Sequence, residues 1–248
     1  MQKKVKNKNK RREDKSPVVP QDSKLKDGLD IRELKWTDKQ KEFFRLALDK
    51  DTKLMFVAGP AGTSKTLTAV YCGLKLLADK RVSDILYLRS AVESSDSKIG
   101  FLPGDANEKL AFYNLPFLDK LEELLTKTQV EKLTKEDRVK AYPINFARGM
   151  SWNAKYIIVD EAQNSSLKEI VTIMTRVGMF SKCIVLADPM QTDLPAGKNG
   201  GFERLKSLFC DTESQENGIQ TFEFNEDDVV RSPLCRFIVK KLAAPHYV

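Results

Sequence analysis

The feature that most constrains this chain is the octapeptide G-P-A-G-T-S-K-T at residues 59–66. An apolar run, K-L-M-F-V-A at residues 53–58, precedes it, and a stretch with helical periodicity over residues 65–78 follows it. A glycine-rich loop between a strand and a helix turns its backbone N–H groups and the helix N-terminus toward an anion. This is the Walker A pattern in its proper context, so the sequence predicts a phosphate-binding loop.

The side chains of this loop have separate expected tasks. Lys65 reaches the β and γ phosphates of a nucleotide, and the Thr66 hydroxyl binds magnesium. Ser64 stands where the pattern normally has glycine, and its bulk would weaken phosphate binding or require a small backbone adjustment. The alternative interpretation is an ordinary Gly-Pro turn between strand and helix. The residues predicted to contact the nucleotide are Gly59, Pro60, Ala61, Gly62, Thr63, Ser64, Lys65, Thr66 and Leu67, with Gly59 and Gly62 allowing close backbone approach.

Two acids end a second apolar run. Residues 155–159, K-Y-I-I-V, lead directly into Asp160 and Glu161, which is a Walker B pattern with an added acid. In such sites the first carboxylate holds magnesium, and the second orients and deprotonates the attacking water. We therefore predict Asp160 as a magnesium ligand and Glu161 as the general base. The alternative is a solvated strand end. A third run ends in A-D-P-M-Q, where Gln191 is either a sensor of the γ phosphate or an ordinary loop residue.

Short apolar runs alternate with helical stretches along the chain. Such runs are typical of parallel strands covered on both faces. The sequence predicts an α/β fold of the RecA-like P-loop class, with a mostly parallel sheet and helices on both faces. Further strands are expected at residues 84–88, 182–186 and 220–224, and further helices at residues 37–48, 115–126, 167–176 and 234–242. Residues 90–150 interrupt this rhythm and must hold loops as well as helix.

Composition excludes several other classes of protein. The only histidine is His246, so neither a histidine-based triad nor a multi-histidine metal site can form within the chain. The four cysteines are widely separated, which argues against a zinc knuckle or a redox motif and favours reduced thiols in the cytoplasm. No apolar run approaches the ~18 residues of a membrane span, and no signal peptide is recognisable. We expect a cytoplasmic protein with no membrane partner.

Charge divides the chain into two parts. Residues 1–27 carry ten basic and four acidic residues, a net charge of +6, while the remaining residues are nearly neutral. We expect a disordered basic tail over residues 1–27 and a single domain over residues 28–248. The tail suits nucleic-acid phosphates or acidic partners, and the alternative is a solubilising arm. Four aromatic residues interleaved with lysines offer either base-stacking platforms or core packing: Phe101, Phe112, Tyr113 and Phe117.

Taken together, the motifs of residues 37–242 resemble the PhoH family of P-loop ATPases. The resemblance rests on the phosphate loop, on V-D-E-A-Q-N around the two acids, and on A-D-P-M-Q-T-D-L-P at residues 187–195. It also rests on I-G-F-L-P-G-D at residues 99–105, F-A-R-G at residues 146–149 and D-V-V-R at residues 228–231. The short chain looks like the compact phage version of the family, which implies the host cytoplasm as its location.

This resemblance implies an ATPase that uses ATP and Mg²⁺ and acts on RNA or single-stranded DNA. The family is similar to the core of superfamily 1 helicases, and by that similarity Gln40 reads adenine, Gln191 senses the γ phosphate and Arg231 is an arginine finger. Those helicases place nucleotide between two RecA-like domains, whereas this chain has one. A homo-oligomer, preferably a hexameric ring, would complete the site with Arg231 of a neighbouring subunit. The alternatives are a small-molecule P-loop kinase and a nucleotide-controlled interaction protein.

Overall fold

The computed structural model describes residues 28–90, 106–144, 151–192 and 200–243, with side chains of the third helix described from residue 115 onward. The eight helices of this part of the chain are α1 (Asp38–Leu48), α2 (Lys65–Ala78), α3 (Ala106–Leu124), α4 (Lys127–Lys135), α5 (Leu167–Met174), α6 (Gly201–Leu208), α7 (Thr212–Glu216) and α8 (Pro233–Leu242). The strands are β1 (Leu54–Ala58), β2 (Asp84–Arg89), β3 (Val139–Pro143), β4 (Lys155–Asp160), β5 (Lys182–Ala187) and β6 (Ile219–Glu223).

The six strands form one sheet in the order β3-β2-β4-β5-β1-β6, and every neighbouring pair is parallel. Strand β5 lies between β1, which leads into the phosphate loop, and β4, which ends in the acids. Because all strands run the same way, their carboxyl ends meet at one edge of the sheet. The predicted RecA-like α/β fold is confirmed, and its topology brings the two motifs to the same edge.

Successive strand residues point to opposite faces, and both faces are covered. On one face, Met55 and Ile158 pack with residues from α1 to α4. On the other face, Phe56 and Val159 pack with residues from α5 and α6. The four central strands, β2, β4, β5 and β1, therefore appear in the sequence as nearly continuous apolar runs, since a residue on either face is buried.

Most predicted elements agree with the structure. Helix α2 has the predicted bounds, and α1 begins after Thr37, whose side chain accepts a hydrogen bond from the Gln40 amide as the expected N-cap. Strand β3 was not predicted, nor were α4, α6 and α7. Phe117 belongs to the core, because it is 2% exposed and stacks on Tyr87. That contact settles the interpretation left open for Phe117 against base stacking.

Several predicted features lie outside the described residues. They are the basic tail, residues 99–105, residues 146–149, residues 193–195, His246 and the side chains of the other three interleaved aromatic residues. Among the helices that are described, none has the length and apolar composition needed to cross a bilayer.

Candidate nucleotide-binding site

The phosphate loop connects the end of β1 to the start of α2 and is shaped by two left-handed residues. Gly62 has φ +84°, and Ser64 has φ 64° and ψ 29°. Glycine adopts this conformation freely, whereas a side chain there costs on the order of 1 kcal/mol. Ser64 thus adopts the left-handed conformation that favours glycine, the residue normally found at this position of the pattern. The result is local strain in the backbone of the loop.

The two loop glycines have a further reason to be glycine. A Cβ atom at Gly59 would lie 2.7 Å from the Cβ of Phe224, and one at Gly62 would lie 3.1 Å from Val229 Cγ1 and 3.2 Å from the Cβ of Arg231. These contacts come from the segment after β6. The sequence assigned both glycines to phosphate approach alone, but close packing against this chain's own C-terminal segment also requires them.

Lys65 lies over the loop at the first position of α2. Its Nζ donates to the carbonyl oxygens of Gly59, at 2.6 Å, and Pro60, at 2.9 Å. Burial lowers the pKa of Lys65, and the carboxylates of Asp188, Asp160 and Glu161 act in the opposite direction. The ammonium group is therefore half-buried beside a phosphate-binding backbone and faces several acids.

Thr66 and Asp160, the two predicted magnesium ligands, are brought into direct contact. The Thr66 hydroxyl donates to Asp160 Oδ2 at 3.0 Å, and Asp160 is 8% exposed at the end of β4. Its Oδ1 accepts from the backbone amide of Glu161 at 3.0 Å. A hydroxyl and a carboxylate are oxygen donors of the kind Mg²⁺ binds together with water and substrate phosphates, so this pair fits the ion.

Glu161 follows Asp160 in a left-handed conformation, with φ 55°. Its Oε2 accepts a hydrogen bond from Gln163 Nε2 at 2.6 Å, and its Oε1 lies 3.8 Å from Arg89 Nη2. Burial and the neighbouring Asp160 raise the pKa of Glu161, while Gln163 and Arg89 oppose this rise. A raised pKa makes a carboxylate a better proton acceptor, which is the property a general base needs.

Gln163 is a site residue that the sequence interpretation missed. It is 5% exposed, and its amide also donates to the carbonyl of Gln191 at 3.0 Å and accepts from the Asp188 amide at 3.0 Å. Gln163 therefore ties Glu161 to the loop after β5. The only clue in the sequence is its place two residues after Glu161.

Gln191 reaches this network through its backbone rather than its side chain. Its backbone carbonyl accepts a hydrogen bond from Gln163 Nε2, and its backbone amide donates to the backbone carbonyl of Asp188 at 3.0 Å. The residue is exposed. The structure places Gln191 at the correct edge of the sheet. Sensing of the γ phosphate by its side chain stays a prediction.

Gln40 joins α1 to the phosphate loop. The side chain is 3% exposed, its Oε1 accepts from the Thr37 amide at 2.9 Å, and its Nε2 donates to the Thr63 carbonyl at 3.4 Å. Within the part of the chain that the structure describes, one N–H and one lone pair of this amide remain, which is the pair that a glutamine presents to N7 and N6 of adenine. The adenine-reading role remains a prediction that is compatible with these contacts.

Residues 229–236, which lie beyond β6 and include the start of α8, contact the phosphate loop, and we call them the C-terminal strap. The Val230 amide donates to the Gly62 carbonyl at 2.9 Å, and Arg236 donates to the Val229 carbonyl from Nε at 3.0 Å and from Nη2 at 2.6 Å. Arg231 is exposed on this strap. The strap thus places Arg231 beside the phosphate loop of its own chain.

Comparison with known proteins identifies relatives that align with most of the chain. The family model of the PhoH-like protein matches residues 34–243. A PhoH-like protein from Bacillus subtilis (strain 168) is 35% identical over 201 residues, which make up 81% of this chain and 61% of that protein. Protein PhoH of Escherichia coli (strain K12) is 31% identical over 186 residues, which make up 74% of this chain and 51% of that protein. The chain therefore spans between half and two thirds of the length of these relatives.

Among solved structures, the crystal structure of Pif1 helicase from Candida albicans matches with a TM-score of 0.38 and 15% identity, over 78% of this chain and 40% of that one. This likeness is too low to support an argument about function. The family match is different in kind, because residues 34–243 contain the phosphate loop, both acids and the strap. The chain belongs to the PhoH-like protein family, and its parallel sheet and phosphate loop are those of a RecA-like P-loop domain.

Proposed function

We propose that this chain hydrolyses ATP in the presence of Mg²⁺. The observation that carries the proposal is the contact between Thr66 and Asp160 beside Lys65, with Glu161 held next to them. Nucleotide binding alone needs only the loop and its lysine. A second carboxylate that is half-buried and has a raised pKa adds a group that can accept a proton from water.

Each residue of this cluster contributes a separate part of the reaction. Lys65 and the loop amides bind the phosphates. Thr66 and Asp160 would hold magnesium, which would neutralise developing charge on the phosphates when bound. Glu161 orients the attacking water and takes its proton. Gln163 fixes the Glu161 carboxylate through the 2.6 Å hydrogen bond, so that the base is positioned before the substrate arrives.

The proposed role of hydrolysis is to drive an oligomeric motor on RNA or single-stranded DNA. The sequence motifs shared with the PhoH family, which is similar to helicase cores, support this proposal, and so does the net charge of +6 on residues 1–27, which suits a phosphate backbone. The proposed assembly is a homo-oligomer, with a hexameric ring as its preferred form. Arg231 is proposed as the arginine finger of a neighbouring subunit, and because the strap holds its Cβ beside Gly62 of its own loop, action within the same subunit is the alternative.

The test of hydrolysis compares wild type with Glu161→Gln. Phosphate release should fall by about 10² or more, as expected on loss of a general base, while ATP affinity changes little. Glu203→Gln, which alters an exposed acid on α6, is the matched control and should behave as wild type. Near-normal turnover by Glu161→Gln would refute the assignment.

The same assay separates the alternatives. Single-stranded RNA or DNA should stimulate wild-type phosphate release. Tight ATP binding by wild type without phosphate release would favour an interaction protein, and transfer of phosphate to a small molecule would favour a kinase.

The position of Arg231 is tested by mixing inactive variants. Lys65→Ala and Arg231→Ala should each fail to hydrolyse ATP, and their mixture should stay inactive if Arg231 serves its own loop. Recovery of activity in co-assembled mixtures, checked by sedimentation, would instead show that Arg231 acts across a subunit interface.

A further inference from the structure

Tyr87 on β2 makes a contact with the site for which no role has yet been given. Its hydroxyl donates to Asp160 Oδ2 at 2.7 Å, and the residue is 1% exposed. The phenol is the donor, because an ionised carboxylate only accepts. The same oxygen accepts from Thr66, so two hydroxyl groups converge on one atom of the predicted magnesium ligand.

The ring of Tyr87 is held as firmly as its hydroxyl. It stacks on Phe117 of α3 with centroids 4.9 Å apart and planes at 5°, and Phe117 is itself buried. A stacked ring in a packed core has little freedom to turn, so its hydroxyl has a fixed direction. This direction is toward Asp160.

The three donors to Asp160 differ in what else they do. Thr66 is predicted to bind the metal itself, and the Glu161 amide holds the other carboxylate oxygen. Tyr87 contacts Oδ2 from the buried core in which it stacks on Phe117, and no role in binding phosphate or water is proposed for it. Its hydrogen bond therefore orients the carboxylate whether or not Thr66 engages the ion.

We propose that Tyr87 is a positioning residue for the magnesium-binding carboxylate of Asp160. This inference rests on the proposed Mg²⁺-dependent function and adds a determinant of metal affinity to it. Partners that hydrogen-bond to metal ligands typically account for about 10- to 100-fold in metal affinity or activity. Loss of the Tyr87 hydroxyl should weaken Mg²⁺ binding within that range without altering the contacts of the phosphate loop.

The experiment is Tyr87→Phe, which removes one oxygen and keeps the ring that stacks on Phe117. ADP binding is measured in EDTA and then across a Mg²⁺ titration, so the readout does not depend on catalysis. We expect ADP affinity in EDTA within about twofold of wild type, and a Mg²⁺ midpoint raised by about tenfold. Thermal unfolding of each variant verifies that it is folded.

Tyr156→Phe is a closely matched control. Tyr156 is fully buried on β4, the strand that carries Asp160, and its hydroxyl has no hydrogen-bond partner among the described residues. This variant therefore loses the same atom from the same sheet without touching the site. Its Mg²⁺ midpoint should equal that of wild type.

Three results would overturn the inference. An unchanged or lowered Mg²⁺ midpoint in Tyr87→Phe would show that the hydroxyl does not support metal binding. An equal loss of ADP affinity with and without Mg²⁺ would show a general structural role. If wild-type ADP binding ignores Mg²⁺, the proposed function fails together with the inference, whereas in the first two cases the proposed function stands.

Discussion

Two lysines donate to pairs of loop carbonyls at opposite edges of the sheet. At the carboxyl edge, Lys65 Nζ binds the carbonyls of Gly59 and Pro60. At the amino edge, Lys182, the first residue of β5, donates to the carbonyl of Asp49 and, at 2.8 Å, to that of Thr52. Burial lowers the pKa of both, that of Lys182 to about 8.

The surroundings of the two ammonium groups differ in charge. Three carboxylates face Lys65 and oppose the lowering of its pKa by burial, whereas Arg81 and Lys53 add to the effect of burial on Lys182 and outweigh the opposing charge of Asp49. The same hydrogen-bond pattern therefore closes a loop at both edges, but within the described residues only the carboxyl edge gathers the acids that are predicted to bind a metal. The comparison teaches that neighbouring charge, not the lysine itself, distinguishes a binding group from a structural one.

The largest effect that would test this distinction is expected for Lys65→Ala. It should lower ATP affinity by about 100-fold or more, because it removes the cation that faces the phosphates. Its free energy of unfolding should change by less than about 1 kcal/mol, since Lys65 is half-buried at a helix start. Calorimetry measures the ATP affinity, and urea unfolding measures the free energy of unfolding. Tight ATP binding by a folded Lys65→Ala variant would contradict the distinction between a binding lysine and a structural one.

Lys182→Met should have effects opposite to those of Lys65→Ala. ATP hydrolysis at pH 7.5 should be kept, whereas the dependence of the free energy of unfolding on pH should differ from that of wild type. The folded pKa of Lys182 is about 8, below the ordinary 10.5. Between these values the unfolded chain holds a proton that the folded chain has released, so wild type gains stability as pH rises through this window. The gain is at most about 3 kcal/mol, at about 1.4 kcal/mol per pH unit.

Urea unfolding at pH 7.5 and 10.5 measures this gain as the difference between wild type and Lys182→Met. Other groups titrate equally in both proteins and cancel. The difference should increase with pH in favour of wild type. Parallel pH profiles would show that Lys182 is not a strained buried cation, and a loss of ATP hydrolysis would show that it is not purely structural.

The sequence predicted the strands and motif residues that form the carboxyl edge of the sheet far better than the hydrogen bonds that hold the side chains of the site in place. Strands β1, β2, β4 and β5 are recognisable because burial on both faces makes them continuous apolar runs. Lys65, Thr66 and Asp160 were identified because their motifs have fixed spacing. Strand β3 was not predicted because it is a short edge strand, V-K-A-Y-P, which mixes apolar and polar residues and ends in proline.

Gln163 and Tyr87 could not be assigned from the sequence for a different reason. Tyr87 lies 73 residues from Asp160 in the chain, and within D-I-L-Y-L it has the pattern of an ordinary core aromatic residue. Only the register of β2 beside β4, in which Arg89 pairs with Asp160, brings the Tyr87 hydroxyl within reach. Lys182 was likewise predicted only as the start of a strand, because its carbonyl partners lie more than 100 residues away.

The smallest effect concerns backbone strain at the two ends of α2. Ser64 before the helix has φ 64°, and Lys80 after it has φ 56°. Lys80 lies in a helix-ending turn in which its amide donates to the Leu77 carbonyl and that of Arg81 to the Leu76 carbonyl. Both positions are left-handed, but only Ser64 belongs to the phosphate loop.

Glycine at either position should stabilise the fold, because it removes the Cβ penalty of the left-handed conformation. The gain should be about 0.5 to 1 kcal/mol, since the greater freedom of glycine in the unfolded chain offsets part of it. Ser64→Gly should in addition strengthen ATP binding by a few fold, as the loop loses bulk beside the phosphates, whereas Lys80→Gly should leave ATP affinity unchanged. Urea unfolding and calorimetry measure both variants. Equal stability gains with a change in affinity for Ser64→Gly alone would separate the strain, which the two ends share, from the binding function, which only the carboxyl edge has. If Ser64→Gly binds ATP with wild-type affinity, Ser64 lowers only the stability of the fold and does not weaken ATP binding.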